Sequence, residues 1–280
     1  MDEISPAVYR AGSGEPLVLL HGFLGTWIHW RPVLAELVAG HEVIAPTLGG
    51  HHGGPAWPAQ TPPTLEAAAD RLELQLDELG VTSAHFAGNS MGGALAIEMA
   101  KRGRAISVVA LAPGGGWDVG SGEPARLSRL FARQIGLTAR LIDHLELALR
   151  RPSLRRLSFR DVMLHGELVD PSDAVAMARG ADACAVKHTV VEALGRGGSD
   201  VALRDLERVA APVLLVSPAH DRLLPPALHA PRLRRELPDV TSLLLPAAGH
   251  VPMWDAPGPV ATTIRDWVAS HSRRPALAAI

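Results

Sequence analysis

The sequence predicts an α/β protein: a mostly parallel central sheet flanked by helices, with a helical cap inserted near its middle. Three observations carry this. Short apolar runs bounded by Gly or Pro alternate with longer segments of helical period, the pattern of βαβ units. The runs are nearly continuous in hydrophobicity, as burial on both faces of a parallel sheet requires. From about Trp117 to about Ala210 the rhythm stops, and Arg, Leu and Ala recur at helical spacing with no convincing strand.

The strands expected are Leu17 to Leu20, Val43 to Ala45, His85 to Ala87, Val108 to Leu111, Val213 to Ser217 and Ser242 to Leu245. Between them Trp30 to Val38, Leu65 to Leu79, Met91 to Arg102, Ala227 to Leu237 and Pro257 to Ser270 space apolar residues by three and four, and several open or close with Pro or Gly. The chain thus divides into a core of residues 1–116 and 211–280 and a cap of residues 117–210. No internal repeat is present. In the cap, Arg150, Arg151, Arg155 and Arg156 among leucines read as the solvated face of an amphipathic helix rather than an anion site. Gly195-Arg-Gly-Gly-Ser supplies the flexible stretch where the cap rejoins the core.

Composition bounds the function. Of 280 residues, 47% are hydrophobic and 20% charged, enough apolar material for a buried core and too little charge for disorder. With 27 basic and 29 acidic residues the formal charge is -2, so no global field draws in nucleic acid or an anionic membrane. The expected partner is a small-molecule substrate, and the sequence leaves a homo-oligomer open. Cys184 is the single cysteine, which excludes an internal disulfide. It lies in Ala-Asp-Ala-Cys-Ala without a cationic neighbour and reads as a small buried residue. The acidic start, Met-Asp-Glu-Ile-Ser-Pro, lacks the order of a signal peptide and no apolar run spans a bilayer, so the expected location is cytoplasmic.

Gly88-Asn89-Ser90-Met91-Gly92-Gly93 is the whole connection between a predicted strand and a predicted helix. A turn this tight holds the central serine in a strained conformation and needs small residues two positions either side. Ser90 is therefore the candidate nucleophile. The amide of Met91, at the helix start, is a candidate oxyanion donor, because unpaired N–H groups and the helix dipole favour the charge formed on attack.

Here the chain resembles the α/β-hydrolase family, over most of its length apart from the insertion. The resemblance implies roles for further residues. His21-Gly22-Phe23-Leu24-Gly25, after a strand, is similar to the family's His-Gly oxyanion loop, which makes the Phe23 amide the second donor and its ring a wall of the acyl pocket. His21 would then hold the loop; a base this early would break the Ser, Asp, His order. Asp221, in the polar loop after Val213 to Ser217, has the setting of the family's acid, with Asp118 in Gly-Gly-Gly-Trp-Asp the rival position. His250, in Pro-Ala-Ala-Gly-His-Val-Pro, matches the late Gly-His loop and is the expected base, since a near-neutral imidazole both takes and returns a proton. Asp255 reads as a cap of the last helix, and Asp118 as a pocket residue. Leu24, Trp27 and Trp117, with Phe23 and Trp30, are candidate pocket walls. His51-His52, between glycine pairs, has no carboxylate or Cys at ligand spacing, so neither metal nor other cofactor is expected. Where the family usually carries Asp before this loop, the chain has Ala45-Pro46-Thr47-Leu48.

With Ser at the elbow, relatives that use an Asp nucleophile, haloalkane dehalogenases and epoxide hydrolases, are disfavoured, because Ser would form an ether that water does not release. The expectation is a carboxylic ester hydrolase acting on a small, largely apolar substrate. The elbow also resembles that of hydrolases that cleave a carbon-carbon bond in ring-fission products of aromatic compounds, although those commonly have a Gly-rich stretch where this chain has Phe23-Leu24 and a Trp where it has Val251. Cofactor-free haloperoxidases share the triad, and a small-molecule binding protein on the same scaffold is the reading from another class.

Overall fold

The computed structural model describes residues 3–118 and 120–272; residues 1–2, 119 and 273–280 of the expected core and cap segments lie outside the described residues. Its centre is an eight-stranded sheet: β1 (Glu3–Ile4), β2 (Val8–Ala11), β3 (Pro16–Leu20), β4 (Glu42–Pro46), β5 (Ala84–Asn89), β6 (Ala105–Leu111), β7 (Val213–Pro218) and β8 (Val240–Leu245), in the order β1-β2-β4-β3-β5-β6-β7-β8. The pairings among β3 to β8 are parallel, and β2 joins β1 and β4 antiparallel. β1 and β2 fall outside the strands the apolar pattern predicts, because β2 buries only its two ends and no continuous or alternating run marks it.

Helices cover both faces. α1 (Arg31–Leu37) and α10 (Pro257–His271) pack on one, against Leu17, Leu19, Val109, Leu111, Leu214 and Val216. α2 (Leu65–Glu78), α3 (Met91–Lys101) and α8 (Pro226–Glu236) pack on the other, against the alternate residues Val18, Leu20, Val108, Ala110, Val213 and Leu215. Burial on both faces is why these strands read as unbroken apolar runs, and each buried Val or Leu contributes about 1.5–3 kcal/mol. β8 departs from the expectation of two-sided burial: it is the edge strand, and Leu243 and Leu244 are exposed. Helix starts follow their sequence signals, with Thr64 accepting from the Ala67 amide at 3.0 Å to cap α2 and Pro in the first turn of α1, α8 and α10.

The inserted cap lies between β6 and β7 and is helical: α4 (Glu123–Leu149), α5 (Pro152–Phe159), α6 (Pro171–Asp182) and α7 (Lys187–Gly195). Leu127, Phe131 and Ile135, four residues apart on α4, form one apolar stripe over a third cluster that includes Leu24, Trp117, Val186, Leu194 and Leu223. Arg155 is not on a solvated face. It is buried, and its guanidinium donates to the carbonyls of Leu149, Arg150 and Glu167, closing the end of α4 that Pro152 interrupts. Arg232 ties both necks of the insertion to α8, donating to Trp117 O at 3.0 Å and Leu203 O at 2.9 Å.

Candidate active site

The strand order reverses at β3, whose neighbours are β4 on one side and β5 on the other, and this is where open α/β sheets leave a crevice at their carboxyl ends. Ser90 follows β5 there with φ 57 and ψ −118, a conformation costing an L-residue on the order of 1–3 kcal/mol. The surrounding backbone holds it: Ser90 N donates to Leu111 O at 2.9 Å, and Ser90 O accepts from Ala94 N at 3.1 Å and Gly114 N at 2.9 Å. A Cβ at Gly88 would stand 2.1 Å from Gly92 O, and one at Gly92 would stand 2.1 Å from Leu20 O. Only hydrogen fits at either place.

The loop after β3 reaches the same point, since a Cβ on Gly22 would be 3.2 Å from Ser90 Cβ. His21 fixes this loop. Its Nδ1–H donates to Gly22 O at 2.9 Å and its Nε2 accepts from Leu48 N at 2.9 Å, which uses both nitrogens of a neutral ring. Burial, then repulsion from His51, holds the His21 pKa well below its ordinary value. Phe23, Ser90 and Met91 line one cavity, with the Met91 amide at the first position of α3, where helical N–H groups lack a partner within the helix.

Asp221 and His250 follow β7 and β8. Asp221 Oδ2 accepts from His250 Nδ1 at 2.7 Å, while Oδ1 accepts from Leu223 N at 2.9 Å and Leu224 N at 2.7 Å. Asp221 thus fixes the tautomer, leaving Nε2 buried with no hydrogen-bond partner among the described residues. Asn89, next to the elbow serine, donates through Nδ2 to His250 O at 2.8 Å and Leu111 O at 3.2 Å, joining the β5 turn to the histidine loop. Ser90 and His250 line one cavity, of about 170 Å³; Ser90 also lines a second, of about 100 Å³. The rival acid, Asp118, is exposed and pairs with Arg235 at 3.6 Å, neither lining these cavities nor meeting a histidine.

Other expected positions fall differently. Leu24 lines the larger cavity and Trp117 the smaller. Trp27 lines neither: its Nε1 donates to Ser5 O at 2.8 Å, its ring meets Tyr9 at 5.4 Å, and it is buried in the core beneath α1. Trp30 is fully buried there too. Apolar aromatic residues close to an active loop in sequence serve the sheet's packing as readily as the pocket. Asp255 does not cap α10. It ends the short α9 (Pro252–Asp255), and its carboxylate accepts from the amides of Leu164, His165 and Gly249 at 2.8–3.0 Å, clamping the cap to the loop that carries His250.

Sequence reasoning passed over four residues at the site: Asn89, His29, Trp57 and Phe131. Phe131 had a signal, its place in the Leu127, Phe131, Ile135 stripe; the others had none. His29 borders the larger cavity and His51 the smaller. Burial, then repulsion from His51, lowers the His29 pKa to about 4; burial likewise lowers that of His51 to about 4. Both rings are neutral at pH 7. Among the described residues no group of three or more His, Cys, Asp or Glu side chains is placed to hold a metal ion. Cys184 is buried, donates to Gly50 O at 3.6 Å, and has its pKa raised by burial to about 11.

Residues 17–263 match the model of the alpha/beta hydrolase family. The chain belongs to that family. It is 34% identical over 204 residues to an epoxide hydrolase, EphH, of Mycobacterium tuberculosis, a match covering 71% of this chain and 92% of that protein. Among solved structures it is similar to a thermophilic esterase from Thermogutta terrifontis, at a TM-score of 0.70 and 22% identity over 95% of this chain and 94% of the other. It is similar also to 2-hydroxy-6-oxo-6-phenylhexa-2,4-dienoate hydrolase from Rhodococcus sp. strain RHA1, at a TM-score of 0.73 and 20% identity over 98% of this chain and 100% of the other. Likeness at these identities is a likeness of fold. No helix among the described residues is long and apolar enough to cross a membrane.

Proposed function

We propose that this hydrolase is a serine carboxylesterase that cleaves a small, largely apolar ester through an acyl-enzyme. The observation that carries the reading is the 2.7 Å bond from His250 Nδ1 to Asp221, which leaves Nε2 as a base in a cavity that Ser90 also lines. Ser90 Oγ bonds to the ester carbonyl carbon as its proton passes to His250 Nε2. The amides of Phe23 and Met91 receive the oxyanion. The carbon–oxygen bond to the alcohol then breaks, the alcohol leaves with the proton from His250, and water repeats the sequence on the acyl-enzyme. Asp221 orients the ring and stabilises its cationic form without taking the proton. Residues 117–210 act as the lid that sets substrate shape; the small substrate and the balanced charge fit a cytoplasmic enzyme.

The likeness to an epoxide hydrolase favours a second reading, ring opening. Serine argues against it: attack on an epoxide carbon forms an ether, which has no carbonyl for water to attack. Carbon–carbon cleavage of a ring-fission product is a third, suggested by the Gly-Asn-Ser-Met-Gly elbow. The three are separated by assaying aryl esters, an aryl epoxide and a vinylogous 1,5-diketone side by side. Cleavage of the ester, lost in Ser90→Ala, supports the proposal; efficient turnover of the diketone or epoxide alone overturns it. A fluorophosphonate should add to Ser90 in the folded protein, and absence of that adduct favours a binding role.

A further inference from the structure

Two cavities meet at Ser90, and they differ. The smaller, walled by Leu48, Trp57, Leu95 and Trp117, is almost wholly apolar, and none of its lining residues is exposed. The larger contains His250 and is lined in part by Gln134, Leu137 and Leu141 of α4, all exposed. Four residues line both cavities: Phe23, Ser90, Phe131 and Leu223. Two of these are aromatic rings in contact. Phe131 hangs from α4 and stands edge-on to Phe23, with centroids 5.1 Å apart and planes at 90°.

We propose that Phe131, seated on Phe23, is the partition between an acyl compartment and a leaving-group compartment, and that it limits the enzyme to esters of a compact apolar acid with a longer alcohol. The inference rests on the serine hydrolase reading above. A carbonyl carbon bonded to Ser90 Oγ has two remaining carbon-bearing arms, and the partition sends them into different cavities. When the carbon–oxygen bond breaks, the alcohol oxygen takes its proton from His250 Nε2. His250 lines only the larger cavity, so the alcohol lies there. The acyl arm enters the smaller one, whose wall carries Met91. The polar groups of Gln134 and Thr138 in the larger cavity suit an alcohol of mixed polarity. Phe131 belongs to the lid while Phe23 belongs to the oxyanion loop, so the width of the acyl compartment depends on how the lid seats.

The test varies the two arms separately: 2-naphthyl esters of straight-chain acids from acetate to decanoate, and acetates of straight-chain alcohols over the same lengths, with wild type, Phe131→Ala and Phe131→Leu. Wild type should lose activity as the acid lengthens and tolerate the longer alcohols. Phe131→Ala should raise kcat/KM on the long acids relative to acetate by roughly tenfold or more, since each methylene fitted or excluded changes kcat/KM by about that factor. Its alcohol profile should change less than its acid profile, because the alcohol cavity has other walls on α4, and Phe131→Leu, the milder change should the alanine variant fold poorly, should fall between. An unchanged acid profile in a folded variant, or a broadened alcohol profile alone, overturns the partition. The rate at which alkyl phosphonofluoridates of increasing chain length label Ser90 gives the same comparison without turnover: failure of all esters with intact labelling would sink the ester reading, and the labelling series would still decide the partition.

Discussion

Beneath Ser90, backbone meets backbone: Gly88 and Gly92 admit no side chain, and the serine's strained φ is held by three main-chain hydrogen bonds. Above it, the cap packs mainly through side chains, with one apolar stripe of α4 turned inward, Leu137, Leu147 and Leu157 left in solvent, and Arg155 satisfying the end of α4. The two regions teach where specificity can change. The floor of the site fixes atoms that any substitution displaces, while the roof fixes only a shape that several side chains can make.

The comparison breaks first at the chemistry. Asp221→Asn should lower kcat on the order of 10⁴-fold by presenting the wrong tautomer of His250, with the melting temperature close to wild type; a loss under tenfold would remove Asp221 from the mechanism. Gly92→Ala, on the floor, forces a Cβ onto Leu20 O, and a shift of about 1 Å in Ser90 should reduce kcat/KM roughly 10²-fold, with about 1–3 kcal/mol lost in chemical denaturation. An active Gly92→Ala would mean the floor is softer than its contacts imply.

At the boundary between floor and roof, Asp255→Ala leaves the amides of Leu164, His165 and Gly249 without their acceptor. We expect a loss of about 2–3 kcal/mol in stability and a several-fold fall in kcat, read together by urea unfolding and turnover. An acid titration probes the same boundary through His51. Its folded pKa, about 4, lies below the unfolded value. Above pH 6.5 the ring is neutral in both states; as pH falls toward 4 the unfolded chain takes up a proton that the folded one refuses. Stability is lost across that window, on the order of 3 kcal/mol for this residue. His51→Phe should flatten the dependence, and an unchanged pH profile of the melting temperature would contradict it. The smallest effect belongs to the roof: Leu147→Ser, at an exposed site, should stay within about 0.5 kcal/mol of wild type.

What the sequence makes legible follows the same division. Ser90, the elbow glycines and the buried parallel strands are visible because backbone geometry restricts them to few residue types. Asp221 and His250 are visible through their loops' place after strands. Trp27 misleads because packing beneath α1 and lining a pocket ask for the same aromatic bulk. Arg155 and Asp255 mislead because their partners are main-chain groups, which accept or donate whatever side chain they carry, and Asp255 reaches amides 90 and 91 residues away, which no local pattern encodes. β2 is invisible for a related reason, since it borrows its order from pairing with β4.

The hydrogen bond from Asn89 to His250 O spans 161 positions of the chain. During synthesis, the Ser90 turn emerges long before β8 and the loop after it that bears His250. On the mechanism proposed above, a serine with no imidazole beside it is an ordinary alcohol, so a growing chain would carry a shaped but inert turn until β8 has paired with β7. Labelling of Ser90 would then report that the sheet has closed, and a probe for this one oxygen would count finished molecules.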